Sequence, residues 1–122
     1  MLNRKLAETF SQNWINAWNR RDLDTLAAHY TEDFEFTSPF VQDLMGVPDG
    51  TLKGIQNVRT YWEMALKGIL EKDIHFELKE VYVGCDSLVI NYNGVLRKTG
   101  CQIFFFNDVG AVYKAISHYD HI

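Results

Sequence analysis

SQNWINAWNRRDLDTLAAHYTEDFEFTSP, running from Ser11 to Pro39, spells a helix, a sharp corner, a second helix and a short strand. Leu6, Phe10, Trp14 and Trp18 recur every four residues with Ala7 and Ala17 beside them, an apolar stripe at helical spacing that predicts the first helix. Asn19-Arg20-Arg21 ends it. Asp22 then caps a second helix whose Leu23, Leu26, Ala27 and Tyr30 share a face, and Asp24 in its first turn suits the positive end of the helix dipole. Phe34-Glu35-Phe36-Thr37 alternates apolar and polar as a half-buried strand does, before Pro39 stops it.

Downstream, Phe40 to Gly54 holds a proline, glycines and no sustained period, and reads as a long loop. Ile55, Val58, Trp62, Ala65, Leu66 and Ile69 then predict a third amphipathic helix. Beyond Asp73 the chain turns to β-branched and aromatic runs near His75 to Val83, Leu88 to Leu96, Cys101 to Phe106 and Val112 to Tyr119, separated by turn signals. Helices first and antiparallel strands afterwards make an α+β layout with three helices against one face of a sheet.

The chain of 122 residues, 47% hydrophobic and 23% charged, is read as one domain spanning residues 1–122. No apolar run is long enough to span a bilayer and no secretory signal is visible at Met1 to Thr9, so a cytoplasmic protein without membrane insertion is expected. A formal charge of −4, with only Arg20-Arg21 and Arg97-Lys98 as short basic clusters, argues against a nucleic-acid partner. Cys85 and Cys101 are read as small buried or half-buried side chains rather than metal ligands or a disulfide framework. The run Cys101-Gln102-Ile103-Phe104-Phe105-Phe106 is apolar on both parities. Helices can cover one face only, and the other is expected to meet a second subunit across a two-fold axis.

The order of elements, with WNRRDLDTLAAHYTEDFEFTSP and the later LKGIQNVRTYW, resembles the SnoaL-like and ketosteroid-isomerase-like branch of the NTF2-like superfamily across nearly the whole chain. The resemblance implies a cone-shaped α+β barrel, a curved, mostly antiparallel sheet wrapped by helices with a pocket at its wide end, and dimerisation through the sheet. Isomerases of that branch use a Tyr on the first helix, an Asp just before the Pro that ends the first strand, and a protonated Asp on a late strand. Here those positions hold Trp14, Ser38 and Gln102. Trp offers one N–H donor, Ser at its usual pKa is no base and Gln carries no titratable proton, so isomerisation by that mechanism is not expected.

The remaining ionisable groups have plain readings. His29 packs on the second helix, His75 is solvated, and His118 and His121 face opposite sides of the last strand, which with no facing carboxylate implies no metal. Asp43 and Asp49 serve turn chemistry in the long loop, Asp33 sits at the turn before the first strand, and Asp120 points away from the cavity. The expected cavity is therefore aromatic and neutral-polar: Trp14, Trp18, Phe36, Ser38, Tyr61 and Trp62, with Gln102, Phe104, Ala115 and Tyr119 from the strands. It would take a small, largely apolar molecule, with Ser38 and Gln102 orienting a carbonyl or hydroxyl, and it needs no cofactor. Two alternatives stand beside this reading: a lyase, cyclase or isomerase using an unrecognised acid-base such as Asp43, His29 or Tyr61, and a dimeric interaction module whose cavity is filled by its own side chains.

Overall fold

The computed structural model describes residues 2–68, 75–94 and 98–120. Expectations that fell on Ile69, Leu96, Arg97, His121 and Ile122 lie outside them. In chain order come α1 (Arg4–Asn19), α2 (Leu23–Ala27), β1 (Tyr30–Thr37), α3 (Pro39–Met45), β2 (Thr51–Lys53), α4 (Ile55–Gly68), β3 (Glu77–Val83), β4 (Ser87–Asn93), β5 (Thr99–Phe106) and β6 (Val112–Tyr119). The strands form one curved, unclosed sheet in the order β2-β1-β6-β5-β4-β3. Every neighbouring pair is antiparallel except β1 and β6, which run parallel with Phe36 beside Ala115. No helix among the described residues is long and apolar enough to cross a membrane.

Local chemistry sets the element ends. Asn3 Oδ1 accepts from the Leu6 N–H to cap α1, and Asp22 takes both the backbone N–H and the hydroxyl of Thr25 to cap α2. Arg21, at φ 56, turns the corner between them. α1 runs against β3 and α4 against β1, so the two longest helices cover the same face of the sheet. On β4 and β5 alternate residues are fully buried and half-buried, as a sheet with one covered face requires.

Four sequence expectations need correction. The supposed loop from Phe40 to Gly54 contains a helix and a strand. Pro39 does not stop a strand but opens α3 at its first position, where the missing N–H is harmless, behind Ser38 as the cap. Four helices rather than three are therefore described, and Gly46 closes α3 in the left-handed conformation at φ 64. β1 begins at Tyr30, earlier than the alternation in Phe34–Thr37 suggested, and its pairing with β6 slips between Tyr30 and Glu35.

The apolar stripe on α1 divides in two. Ala7, Ser11, Trp14 and Trp18 are buried, whereas Phe10 is only half-buried and Leu6 is exposed. Residues four apart advance about 400°, so a strict four-residue repeat drifts by roughly 40° per step and Leu6 points about 120° away from Trp18. Cys85 is exposed and Cys101 half-buried, so only the second matches its expected place.

Candidate functional site

The covered side of the sheet holds a dense aromatic cluster. Trp18 and Phe76 stack at 5.6 Å, Phe76 and Tyr92 at 5.5 Å, and Trp14 meets Tyr92 edge-on at 5.2 Å. Tyr92 can lie flat across the neighbouring strand because its register partner is Gly100, where an added Cβ would sit 2.8 Å from the ring. Between this cluster, β1 and α4 remains a void of about 40 Å³.

Seven of the ten expected residues line that void: Trp14, Trp18, Phe36, Tyr61, Trp62, Gln102 and Tyr119. The other three do not. Phe104 is fully buried, packed edge-on against Phe10 and Trp14, and Ala115 is too short to emerge from beneath β6. Ser38 Oγ accepts from the Phe40 N–H at the start of α3, with Tyr61 and Tyr119 beside it. Sequence reasoning missed Tyr30, Ala65, Phe76, Tyr92 and Ser117 as lining residues. Tyr30 and Ala65 fall on apolar stripes already recognised, and Ser117 shares the parity of Ala115 and Tyr119, so those three were within reach of the same pattern.

The lining is polar without being charged. Trp14 Nε1 donates to Tyr30 Oη at 3.2 Å, and Ser117 Oγ donates to Gln102 Oε1 at 2.6 Å, which leaves the Gln102 NH₂ as the donor group. Tyr119 lies beside Tyr92, Ser38 and Ser117, whose hydroxyls favour its ionised form while burial opposes it. Burial pushes the phenols of Tyr30, Tyr61, Tyr92 and Tyr119 upward, so each stays protonated and keeps an O–H to donate. Trp18 Nε1 has no hydrogen-bond partner, although the residue is only 6% exposed. Among the described residues no Asp, Glu, His, Lys or Arg lines the void. The arrangement can hold an oxygen acceptor, but it offers no group of near-neutral pKa to move a proton.

The other acid-base candidates lie elsewhere. Asp43 is exposed on α3, and Asp49 accepts from the Thr51 N–H in a turn. Asp33, within β1 rather than before it, accepts from Thr31 Oγ1 on the surface. His29 packs edge-on against Phe10 at 5.0 Å, and His75 and His118 are exposed. Among the described residues no group of three or more His, Cys, Asp or Glu is placed to hold a metal ion.

The sequence profile of the SnoaL-like domain matches residues 11–118. The chain is similar in structure to a SnoaL-like protein of unknown function from Burkholderia thailandensis, with 38% identity, a TM-score of 0.90 and 96% of each chain covered. An NTF2-like protein of unknown function from Burkholderia pseudomallei aligns at 18% identity and TM-score 0.74 over 93% of this chain and 90% of that one. A candidate polyketide cyclase from Sinorhizobium meliloti aligns at 17% identity and TM-score 0.67, over 86% and 89%. At those lower identities the likeness is one of fold. No curated protein matches the chain. The profile match across most of the chain, joined to the cone-shaped α+β architecture, places this protein in the SnoaL-like family of the NTF2-like superfamily.

Proposed function

We propose that the interior cavity binds a small, mainly apolar molecule through a carbonyl or ether oxygen, without a titrating catalytic group. The observation that carries this reading is the enclosed, unpartnered Nε1–H of Trp18, a residue of the cavity lining, among phenols that stay protonated. A buried donor left without an acceptor costs about 1–3 kcal/mol, and a ligand oxygen there would recover it. Anions and amines gain nothing comparable, because no charged side chain among the described residues lines the walls. The polyketide-cyclase name attached to one neighbour of similar fold agrees with a carbonyl-bearing ligand, but the proposal rests on the cavity.

As it stands, a void of about 40 Å³ holds about one water, so a ligand must displace ring side chains to enter. That volume favours a second reading, in which the aromatic side chains fill the cone themselves and the protein acts through its assembly. The uncovered sheet face supports a homodimer under either reading. Val89, Ile103 and Ile116 lie in one row across β4, β5 and β6, all half-buried, and Asn91 Oδ1 near them is enclosed without a donor.

The discriminating experiment pairs native mass spectrometry of the protein as purified with titration of 1-tetralone against its hydrocarbon, tetralin. The binding reading expects the ketone to bind about tenfold more tightly and the difference to vanish in Trp18→Phe. No retained mass and no saturable binding of either compound would establish the self-filled cavity instead.

A further inference from the structure

The half of α1 that drifts off the core opens a second concavity, of about 650 Å³, bordered by the turn between β5 and β6 and by the end of α2. It shares no lining residue with the interior cavity. Its apolar lining is unusual for a surface. Leu6 is 53% exposed and Val109 86% exposed, and both belong to the short set of large hydrophobic side chains left open to solvent among the described residues. The floor beneath them is rigid: Phe10 meets Phe104 and Phe106 edge-on at 5.0 and 5.2 Å, so the hollow does not need to be created by the ligand.

The polar side of the hollow has a definite sign. Asp86 and Asp108 are exposed carboxylates in its lining, and among the described residues no Lys or Arg lines it to balance them. His29 adds no opposing charge, because burial lowers the imidazole pKa and holds the ring neutral.

We propose that this groove is a second ligand site, built for a small amphiphile with an apolar body and a protonated amine. The apolar body would cover Leu6, Phe10 and Val109, and the ammonium would lie toward Asp86 and Asp108. An acidic amphiphile of the same shape meets two like charges there. A volume in the range of ordinary small-molecule pockets, about 300–1,000 Å³, suits a compound of one or two rings. The site is independent of the interior cavity, whose uncharged walls select a neutral oxygen acceptor.

Three probes of one shape test it: 1-naphthylmethylamine, 1-naphthalenemethanol and 1-naphthoate, titrated into ¹⁵N-labelled protein and followed by amide chemical shifts. The amine is expected to move amides of residues 6–13 and 106–110, to bind about fivefold more tightly than the alcohol at low salt, and to lose that margin at high salt. Val109→Arg, at a turn position where the side chain is mostly in water, puts a cation into the groove and is expected to reduce amine affinity at least about fivefold while leaving the fold intact. Equal affinity for the three probes, shifts confined to the interior cavity, no saturable binding, or an amine affinity indifferent to Val109→Arg would each overturn the proposal.

Discussion

Gly100→Ala tests the packing that shapes the cavity. The added Cβ would lie 2.8 and 2.9 Å from Tyr92 Cζ and Cε1 and 3.1 Å from its Oη. The ring has nowhere to retreat, because Tyr92 is 2% exposed and held by Phe76 on one side and Trp14 on another. Gly100 is outside the positive-φ region, so alanine is acceptable to the backbone and the penalty is steric. Overpacking of this kind costs about 1–3 kcal/mol, against about 0.4–1 kcal/mol regained from a stiffer unfolded chain. A net loss of about 1–2 kcal/mol, or roughly 3–8 °C in Tm, is expected in urea and thermal unfolding, with an unchanged m value. In a double-mutant cycle Tyr92→Leu should remove most of the Gly100→Ala penalty, since the clash partner is gone. A Gly100→Ala variant as stable as the parent, or a cycle with no coupling, would refute the close-approach reasoning.

Three buried phenols, Tyr30, Tyr61 and Tyr92, and the half-buried Tyr119 make stability fall at high pH. The unfolded chain ionises its tyrosines near 10 while the folded chain keeps these four protonated, so the folded state binds more protons and loses ground as pH rises through the unfolded value. Urea unfolding followed from pH 8 to 11 should show a decline approaching roughly 5 kcal/mol per pH unit once the unfolded phenols are fully ionised, and absorbance at 295 nm should show their ionisation deferred to unfolding. Ser38→Ala removes the cap of α3 and should cost about 1 kcal/mol by chemical denaturation. Ile103→Lys, at the centre of the uncovered sheet face, is expected to shift the protein from dimer to monomer in analytical ultracentrifugation with little change in far-UV circular dichroism. A parent protein that is already monomeric would remove the dimer from the proposal.

The helical corner and the strand alternation were legible because each writes a local period into the chain: the Asp22 cap, the buried Val58, Trp62 and Ala65 of α4, and the alternation of Gln102, Phe104 and Phe106 fall where they were read. α3 escaped because seven residues are barely two turns, too short to show a helical period, and because Ser38-Pro39 reads equally as a strand stop and as a helix start. Parity put Gln102 and Tyr119 on the side of the sheet that borders the void but could not separate lining from core. Phe104 shares its face with Gln102 and is sealed by Phe10 and Trp14, a contact that arises only when α1 and β5 meet in space. The outer groove was hidden for a related reason, since it joins residues near position 6 to others near position 109 and depends on the angular drift of α1.

The parallel pairing of β1 with β6 has a consequence for how the chain is made. Phe36 finds its neighbour Ala115 only 79 residues later, so at about 5–20 residues per second a ribosome leaves β1 waiting several seconds after it emerges. Until then β1 can pair only with the three residues of β2, and its other edge, carrying the apolar Phe34 and Phe36, is open to any strand nearby. β6 is also the seam of the sheet, for it alone joins β2 and β1 to β5, β4 and β3. Synthesis stalled before Val112 would thus yield two unjoined sheet fragments rather than a smaller version of the fold.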